Sequence, residues 1–230
     1  MAESHQDINL AEFVSVLIYL SEESGKIIRE IESSGDLKRC SKDDMSPVTM
    51  ADLRVQKTIE VVLKSLYPTL NVQGEESKES IADIASSVQP EQVTAEIKSF
   101  IKKEWLNEQH QKRQEYIKGI QGSYMPDEVS LEMFESFNTK DAVVWIDPLD
   151  GTSDFVKGNL PACTVLIGLT LNKYSRFGIV HNPFSFEDQS QSLTFFGSAE
   201  HGAWRMPYHF DMKTEECLAR QPTYLEPFNH

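Results

Sequence analysis

Two aspartates three residues apart, Asp147 and Asp150, follow the apolar run Val143-Val144-Trp145-Ile146, with Pro148 between them and Gly151-Thr152 after. An apolar run fixes backbone in a packed sheet, a proline stiffens the exit and a glycine permits a sharp turn. The pattern is that of a buried strand that ends by delivering charge to a site. Carboxylates held so close repel one another, and a cation is the natural compensation. Two further segments share the design: Thr49-Met50-Ala51-Asp52 at the start of a helix and Gly74-Glu75-Glu76 at the end of a strand. Hard oxygen ligands from separate elements suit magnesium, which keeps several waters and takes the rest of its octahedron from phosphate. Two such ions ~3.5–4 Å apart can clamp both the attacking and the leaving oxygen of an in-line displacement. Gly151 and Thr152 are expected to open a short helix whose free amides face that phosphate.

Spacing separates this pattern from another phosphatase chemistry. Haloacid-dehalogenase-type enzymes use Asp-x-Asp-Gly-Thr, in which the first aspartate is a covalent nucleophile two residues before the second. Here Pro148 stands at that position. A metal-activated water is therefore favoured over an aspartyl-phosphate intermediate.

The elements that must position these residues are legible from periodicity. Leu10, Phe13, Val14, Leu17, Ile18, Ile27, Ile28 and Ile31 form the stripe of an amphipathic helix over Ile8 to Ile31, with Gly35 placed as a C-terminal stop. A polar loop, Lys42 to Pro47, precedes a second helix from Ala51 to Tyr67, whose core face is Val55, Ile59, Val62, Leu63 and Leu66 and which Pro68 ends. Residues 70–73 read as a short strand. Between 77 and 141 the composition turns to Lys, Glu, Gln and Ser, with a charged helical pattern from Glu91 to Lys118; this reads as an insertion on the surface of the domain. Thr164–Leu171 and Phe177–Val180 read as strands, the second ended by His181-Asn182-Pro183, and 193–204 gives one weaker strand signal. Cys163 and Phe155 read as core, and the last 25 residues show little periodicity.

A chain of 230 residues that is 40% hydrophobic supports one globular domain with a real core. Its net charge of −14 argues against partners such as nucleic-acid polymers or anionic membranes, which need a basic face to displace counterions. A small anionic substrate remains possible where metal ions reverse the local charge. Cys40, Cys163 and Cys217 lack metal-ligand spacing and read as reduced thiols of a cytoplasmic protein. The apolar stretch Phe13 to Leu20 is too short to span a bilayer, and it follows Glu3, Asp7 and Glu12 where a signal peptide would carry positive charge. Nothing in the sequence fixes an oligomeric state.

Three segments in order resemble the inositol monophosphatase superfamily of lithium-sensitive, magnesium-dependent phosphomonoesterases. They are Lys42-Asp43-Asp44-Met45-Ser46-Pro47-Val48-Thr49-Met50-Ala51-Asp52, Gly74-Glu75-Glu76, and Trp145-Ile146-Asp147-Pro148-Leu149-Asp150-Gly151-Thr152. The first, the Val143–Thr152 segment, the Thr164–Leu171 strand and Gly178-Ile179-Val180-His181-Asn182-Pro183 look most like the 3'(2'),5'-bisphosphate nucleotidases. The long interval from Glu75 to Asp147 suits that branch or the inositol polyphosphate 1-phosphatases.

The resemblance implies a layered α+β fold, two long helices packed on a largely antiparallel sheet with a charged helical insertion. It implies that Glu75, Asp147 and the Leu149 carbonyl hold one Mg2+, that Asp147 bridges to a second held also by Asp150, and that Asp52 and Thr152 orient and deprotonate the attacking water. Glu76 falls to an outer role, and Lys42, Gly151 and Thr152 meet substrate phosphate. The expected reaction is hydrolysis of the 3'-phosphate of adenosine 3',5'-bisphosphate; an inositol polyphosphate 1-phosphatase and a catalytically silent paralogue are the alternatives. Family members carry a further metal carboxylate in a Trp-Asp pair, whereas Trp105, Trp145 and Trp204 are not followed by aspartate. Residues 1–230 are therefore expected to be a single phosphatase-like domain, incomplete at its C-terminus.

Overall fold

A computed structural model of the chain describes residues 5–35, 40–41, 47–104, 106–108, 111, 136–185, 190–199, 201–209 and 220–225. Helix α1 spans Leu10–Ser34 and α2 spans Met50–Leu66. Both begin on a side-chain cap: the Asn9 side chain accepts the Glu12 amide, and Thr49 accepts the Ala51 amide. Gly35 closes α1 in the left-handed conformation (φ 66°), donating its amide to Glu32, as its place in the sequence predicts. Each helix turns one apolar face inward, Phe13, Val14, Leu17 and Ile28 from α1, Val55, Ile59, Val62 and Leu63 from α2, all fully buried.

That apolar face covers one side of a seven-stranded sheet. Its strands are β4 (Asn71–Gly74), β6 (Ala142–Asp150), β7 (Thr164–Leu171), β8 (Tyr174–Asn182), β9 (Gln191–Ser198), β10 (Gly202–His209) and β11 (Thr223–Leu225), ordered β11-β10-β9-β8-β7-β6-β4. Every pair is antiparallel except β4 with β6. Alternation decides the faces: Val144, Ile146, Val165, Ile167, Leu169 and Ile179 point into the core, and the residues between them do not. Two small ladders lie outside this sheet, β1 (Asp7–Asn9) with β5 (Ser136–Asn138) and β2 (Cys40–Ser41) with β3 (Pro47–Val48). The α+β class and the largely antiparallel sheet under two long helices are as the sequence implies.

Three local readings change. The single strand expected over 193–204 is a hairpin, because Ser198 and His201 hydrogen-bond to each other and Gly202 takes a positive φ (81°) that reverses the chain. The helical pattern expected from Glu91 to Lys118 is interrupted: a short 3-10 turn, Pro90–Gln92, is followed by helix α3, Ala95–Lys98, then by non-helical residues 99–102, and residues 103–104, 106–108 and 111 are helical again. Val88, Val93, Ile97, Phe100 and Ile101 there are buried in the main core, and the Ile101 amide donates to Ser15 on α1. Residues 112–135 lie outside the described residues, as does the turn expected at Gly122–Asp127. Finally, strand β6 does not stop at Ile146; it runs to Asp150 with a register irregularity between Asp147 and Asp150, where Pro148 cannot donate to the ladder. Among the described residues no helix is long and apolar enough to cross a membrane.

Candidate active site

The acidic residues singled out in the sequence meet at the β4 edge of the sheet. β4 and β6 run parallel with Gly74 beside Ile146, and the ladder continues one step as the Glu75 amide donates to the Ile146 carbonyl (3.1 Å). Glu75 is thereby set beside Asp147. Asp147 is pushed up to about 7 by burial first, then by the negative charge of Glu75 and of Asp150. Its Oδ1 is buried without a hydrogen-bond partner among the described residues. A buried, orphaned carboxylate oxygen facing two further carboxylates is an unusual state for a native protein and is the natural seat of a cation.

Asp52 comes from the other side. It is the third residue of α2 and almost fully buried (1% exposed). Its Oδ2 accepts both the amide and the hydroxyl of Thr49 at 2.7 Å, which leaves Oδ1 to accept the Thr152 hydroxyl at 3.0 Å, a bond between residues 100 apart in sequence. Burial raises the Asp52 carboxyl above its usual range, opposed by the bonds from Thr49 and Thr152. The Thr152 hydroxyl also lies 2.9 Å from the Leu149 carbonyl, and with one hydrogen it serves one of the two acceptors at a time.

Thr152 is held by a turn only glycine satisfies. Gly151 has φ 85° and caps helix α4, Thr152–Lys157, and a Cβ there would stand 3.0 Å from the Ala162 carbonyl oxygen. Beneath it, Cys163 is fully buried near the Gly151 and Asn159 carbonyls, and burial pushes its thiol up to about 12. It is a core residue without thiolate character. Asp150 is exposed and its Oδ2 accepts the Thr164 hydroxyl (3.4 Å). Glu76 is buried and turned inward. Lys42 lies outside the described residues.

Gln56 is a residue that sequence reasoning missed. One helical turn beyond Asp52, it is buried, donates to the Glu76 carbonyl (2.8 Å) and to Glu60 (2.9 Å), and accepts the Glu76 amide (2.7 Å). The side-chain amide sits where a Gly74 Cβ would be, within 2.1 Å of that position, so Gly74 and Gln56 together fix the turn that carries Glu75. The available signal was a polar side chain four residues after Asp52, beside the apolar stripe of α2.

A groove of about 390 Å3 runs from Glu75 and Asp147 along the sheet face turned away from α1 and α2, past Leu166 and Gly168 to Trp145. Among the described residues no three or more His, Cys, Asp or Glu side chains gather at metal-holding spacing. Glu75, Asp147 and Asp150 instead interact through Asp147, which both neighbours raise.

A buried acid and hydroxyl pair thus stands beside a row of carboxylates, with two long helices packed on a largely antiparallel sheet. Residues 9–224 match the model of the inositol monophosphatase family, and the chain belongs to that family. It is 29% identical over 177 residues to a protein of Dictyostelium discoideum named 3'(2'),5'-bisphosphate nucleotidase 1, covering 77% of this chain and 48% of that one. The Homo sapiens protein of the same name is 27% identical over 179 residues, 76% of this chain and 48% of its own length. An inositol monophosphatase of Mesembryanthemum crystallinum is 41% identical over a shorter stretch of 83 residues, 34% of this chain and 28% of its own. The chain thus spans about half the length of the longer-matching relatives. Among solved structures, an inositol monophosphatase family member from Bacteroides thetaiotaomicron superposes with a TM-score of 0.48 at 18% identity, covering 93% of this chain and 57% of that one.

Proposed function

We propose that the chain is a magnesium-dependent phosphomonoesterase that removes the 3'-phosphate of adenosine 3',5'-bisphosphate, giving AMP and phosphate. The observation that carries the reading is the 3.0 Å Thr152–Asp52 hydrogen bond set beside Asp147 and its acidic neighbours. The donor set suits the ion: Glu75, Asp147 and the Leu149 carbonyl would hold one magnesium, and Asp147 with Asp150 a second. When bound, magnesium neutralises phosphate charge and lowers the pKa of a coordinated water. The protein's own part is proton handling. With its hydrogen directed to Asp52, Thr152 keeps lone pairs with which to accept a proton from an attacking water, and it passes its own proton on to Oδ1. Burial makes Asp52 a better acceptor, and the two Thr49 bonds hold its carboxylate in one orientation. The free amides of the Gly151 turn and of the first residues of α4 would meet the phosphate.

The choice of a nucleotide over an inositol phosphate is supported by the names of the relatives matched over about three quarters of this chain. Phosphate release from adenosine 3',5'-bisphosphate with magnesium, beside an Asp147→Ala control, tests the reading. Release that needs Asp147 and is inhibited by lithium supports it; release from inositol polyphosphates alone replaces the substrate, and no release from either by folded protein refutes the activity.

A further inference from the structure

Thr152 can serve Asp52 only while the turn before it stays closed. The Gly151 carbonyl closes that turn, accepting the amides of Asp154 (2.8 Å) and Phe155 (2.9 Å). The turn leans on residues 159–163. Gly151 packs so closely there that a Cβ would stand 3.0 Å from the Ala162 carbonyl oxygen, and the Cys163 thiol lies 3.7 Å from the Gly151 carbonyl. This supporting segment is a 3-10 turn, Leu160–Ala162, whose own hydrogen bonds are local. The Asn159 amide and side chain both donate to Asp154 at 2.9 Å, the Ala162 amide donates to Asn159 and the Cys163 amide to Leu160. Such bonds tie the segment to α4 or to itself and fix neither to the sheet.

Besides the start of β7 at Thr164 and the packing of the Cys163 side chain, the described residues join the segment to the sheet through Asn182. That residue ends β8 and is buried, 8% exposed. Its Nδ2 donates to the Pro161 carbonyl (2.8 Å) and to the Cys163 carbonyl (3.2 Å). The residue type follows from the task. Two carbonyls converging on one place need two hydrogens on one atom, which a carboxamide nitrogen supplies and a carboxylate, an acceptor only, does not. The strand end is in turn held on α1, where Arg29 donates from Nε to the Pro183 carbonyl (2.9 Å). Contacts thus run from α1 through Pro183 and Asn182 to residues 161–163 and the Gly151 turn.

We propose that Asn182 is a positioning residue for phosphate-ester hydrolysis: by holding residues 161–163 it keeps the Gly151 turn closed and the Thr152 hydroxyl within reach of Asp52. The inference rests on the reading of Thr152 and Asp52 as the proton path. Misplacement by about 1 Å at a distance from the chemistry can cost about a hundredfold in rate.

Amide hydrogen exchange of the metal-free protein, read by NMR, tests the mechanical part without turnover. In Asn182→Ala the Asp154 and Phe155 amides should exchange faster by a factor roughly tenfold or more above any change at the buried centre of α1; Asn182→Ser, which keeps one donor, should fall between that variant and the wild type. Unaltered exchange, or a rise no larger than that in α1, makes Asn182 an ordinary stabilising residue and overturns the proposal. If Asn182→Ala does not fold, the same comparison on Asn182→Ser decides. In turnover, Asn182→Ser should lower kcat about tenfold while calorimetric magnesium affinity stays within about threefold of the wild type. An unchanged kcat, or a matching loss of magnesium affinity, also overturns the proposal. A wild type that releases no phosphate defeats the proposed activity instead, and the exchange comparison then decides by itself whether Asn182 holds the turn.

Discussion

Two acidic centres in this molecule are treated in opposite ways. On α1, Glu22 and Arg220 form a bidentate pair, both contacts 2.9 Å, with side chains 6% and 11% exposed. Arg220 also donates to the Pro207 carbonyl (3.0 Å) and lies over the Tyr208 ring (5.0 Å from its centroid). At the β4 edge, Asp147 is surrounded by more acid and left with an orphaned oxygen. A charge kept for structure brings its counter-charge with it; a charge kept for chemistry waits for a counter-charge from outside.

The largest expected effect breaks the site. Asp147→Asn should reduce phosphate release by at least about a hundredfold, since several kcal/mol of charge stabilisation depend on the ion it would hold. The same change should raise the melting temperature of the metal-free protein, because it removes the repulsion. Loss of both activity and stability would put Asp147 in the structural class with Glu22. Thr152→Val should cost roughly a hundredfold or more in kcat while Thr152→Ser retains most of it, as steady-state kinetics would report.

Next comes the paired centre. Arg220→Ala leaves Glu22 buried and uncompensated and should destabilise the fold by about 3–5 kcal/mol in denaturant titrations, with little effect on chemistry per folded molecule. Gln56→Leu, which unpairs the Glu76 amide and carbonyl, should cost about 1–3 kcal/mol for the exposed groups and weaken magnesium binding through Glu75.

Acid titration sharpens the contrast with the smallest signals. The folded pKa of Asp147 is raised from 3.8 to about 7, so the folded state binds the proton more tightly; that contribution to stability is full at low pH and is lost as pH rises through about 7 in metal-free protein. His181 moves the other way. It is fully buried, its Nδ1 bonded to Thr194, and burial with Arg220 and Arg29 lowers it from 6.5 to about 3. Its neutral form favours folding above pH 6.5, and that stability is lost as pH falls toward 3. Thermal melts across this range should show Asp147→Asn flattening the loss at rising pH and His181→Gln flattening the loss at falling pH.

What the sequence disclosed was local. The helices followed from apolar spacing, from Thr49 at the start of α2 and from Gly35 and Pro68 at their ends, and β7 from a mostly apolar run. The acidic residues were marked because charge after an apolar run is rare. What it withheld was long-range. Residues far apart join the small β1–β5 ladder, where the Gln6 amide donates to Thr139, 133 positions away. Arg220 meets Glu22 across 198 positions, from a stretch with no periodicity. The polar composition after Glu76 hid Val88, Val93 and Ile97, which are buried against the core although their neighbours are exposed. The β9–β10 reversal was hidden because its turn lies inside one continuous strand-like run.

The most direct measurement of the central claim is calorimetric titration of the purified, metal-free chain with magnesium at a pH below 7, alongside Asp147→Asn. Binding accompanied by proton release in the wild type, and absent from the variant, is the result that an uncompensated carboxylate predicts. No binding at millimolar magnesium, or equal binding by the variant, would contradict it.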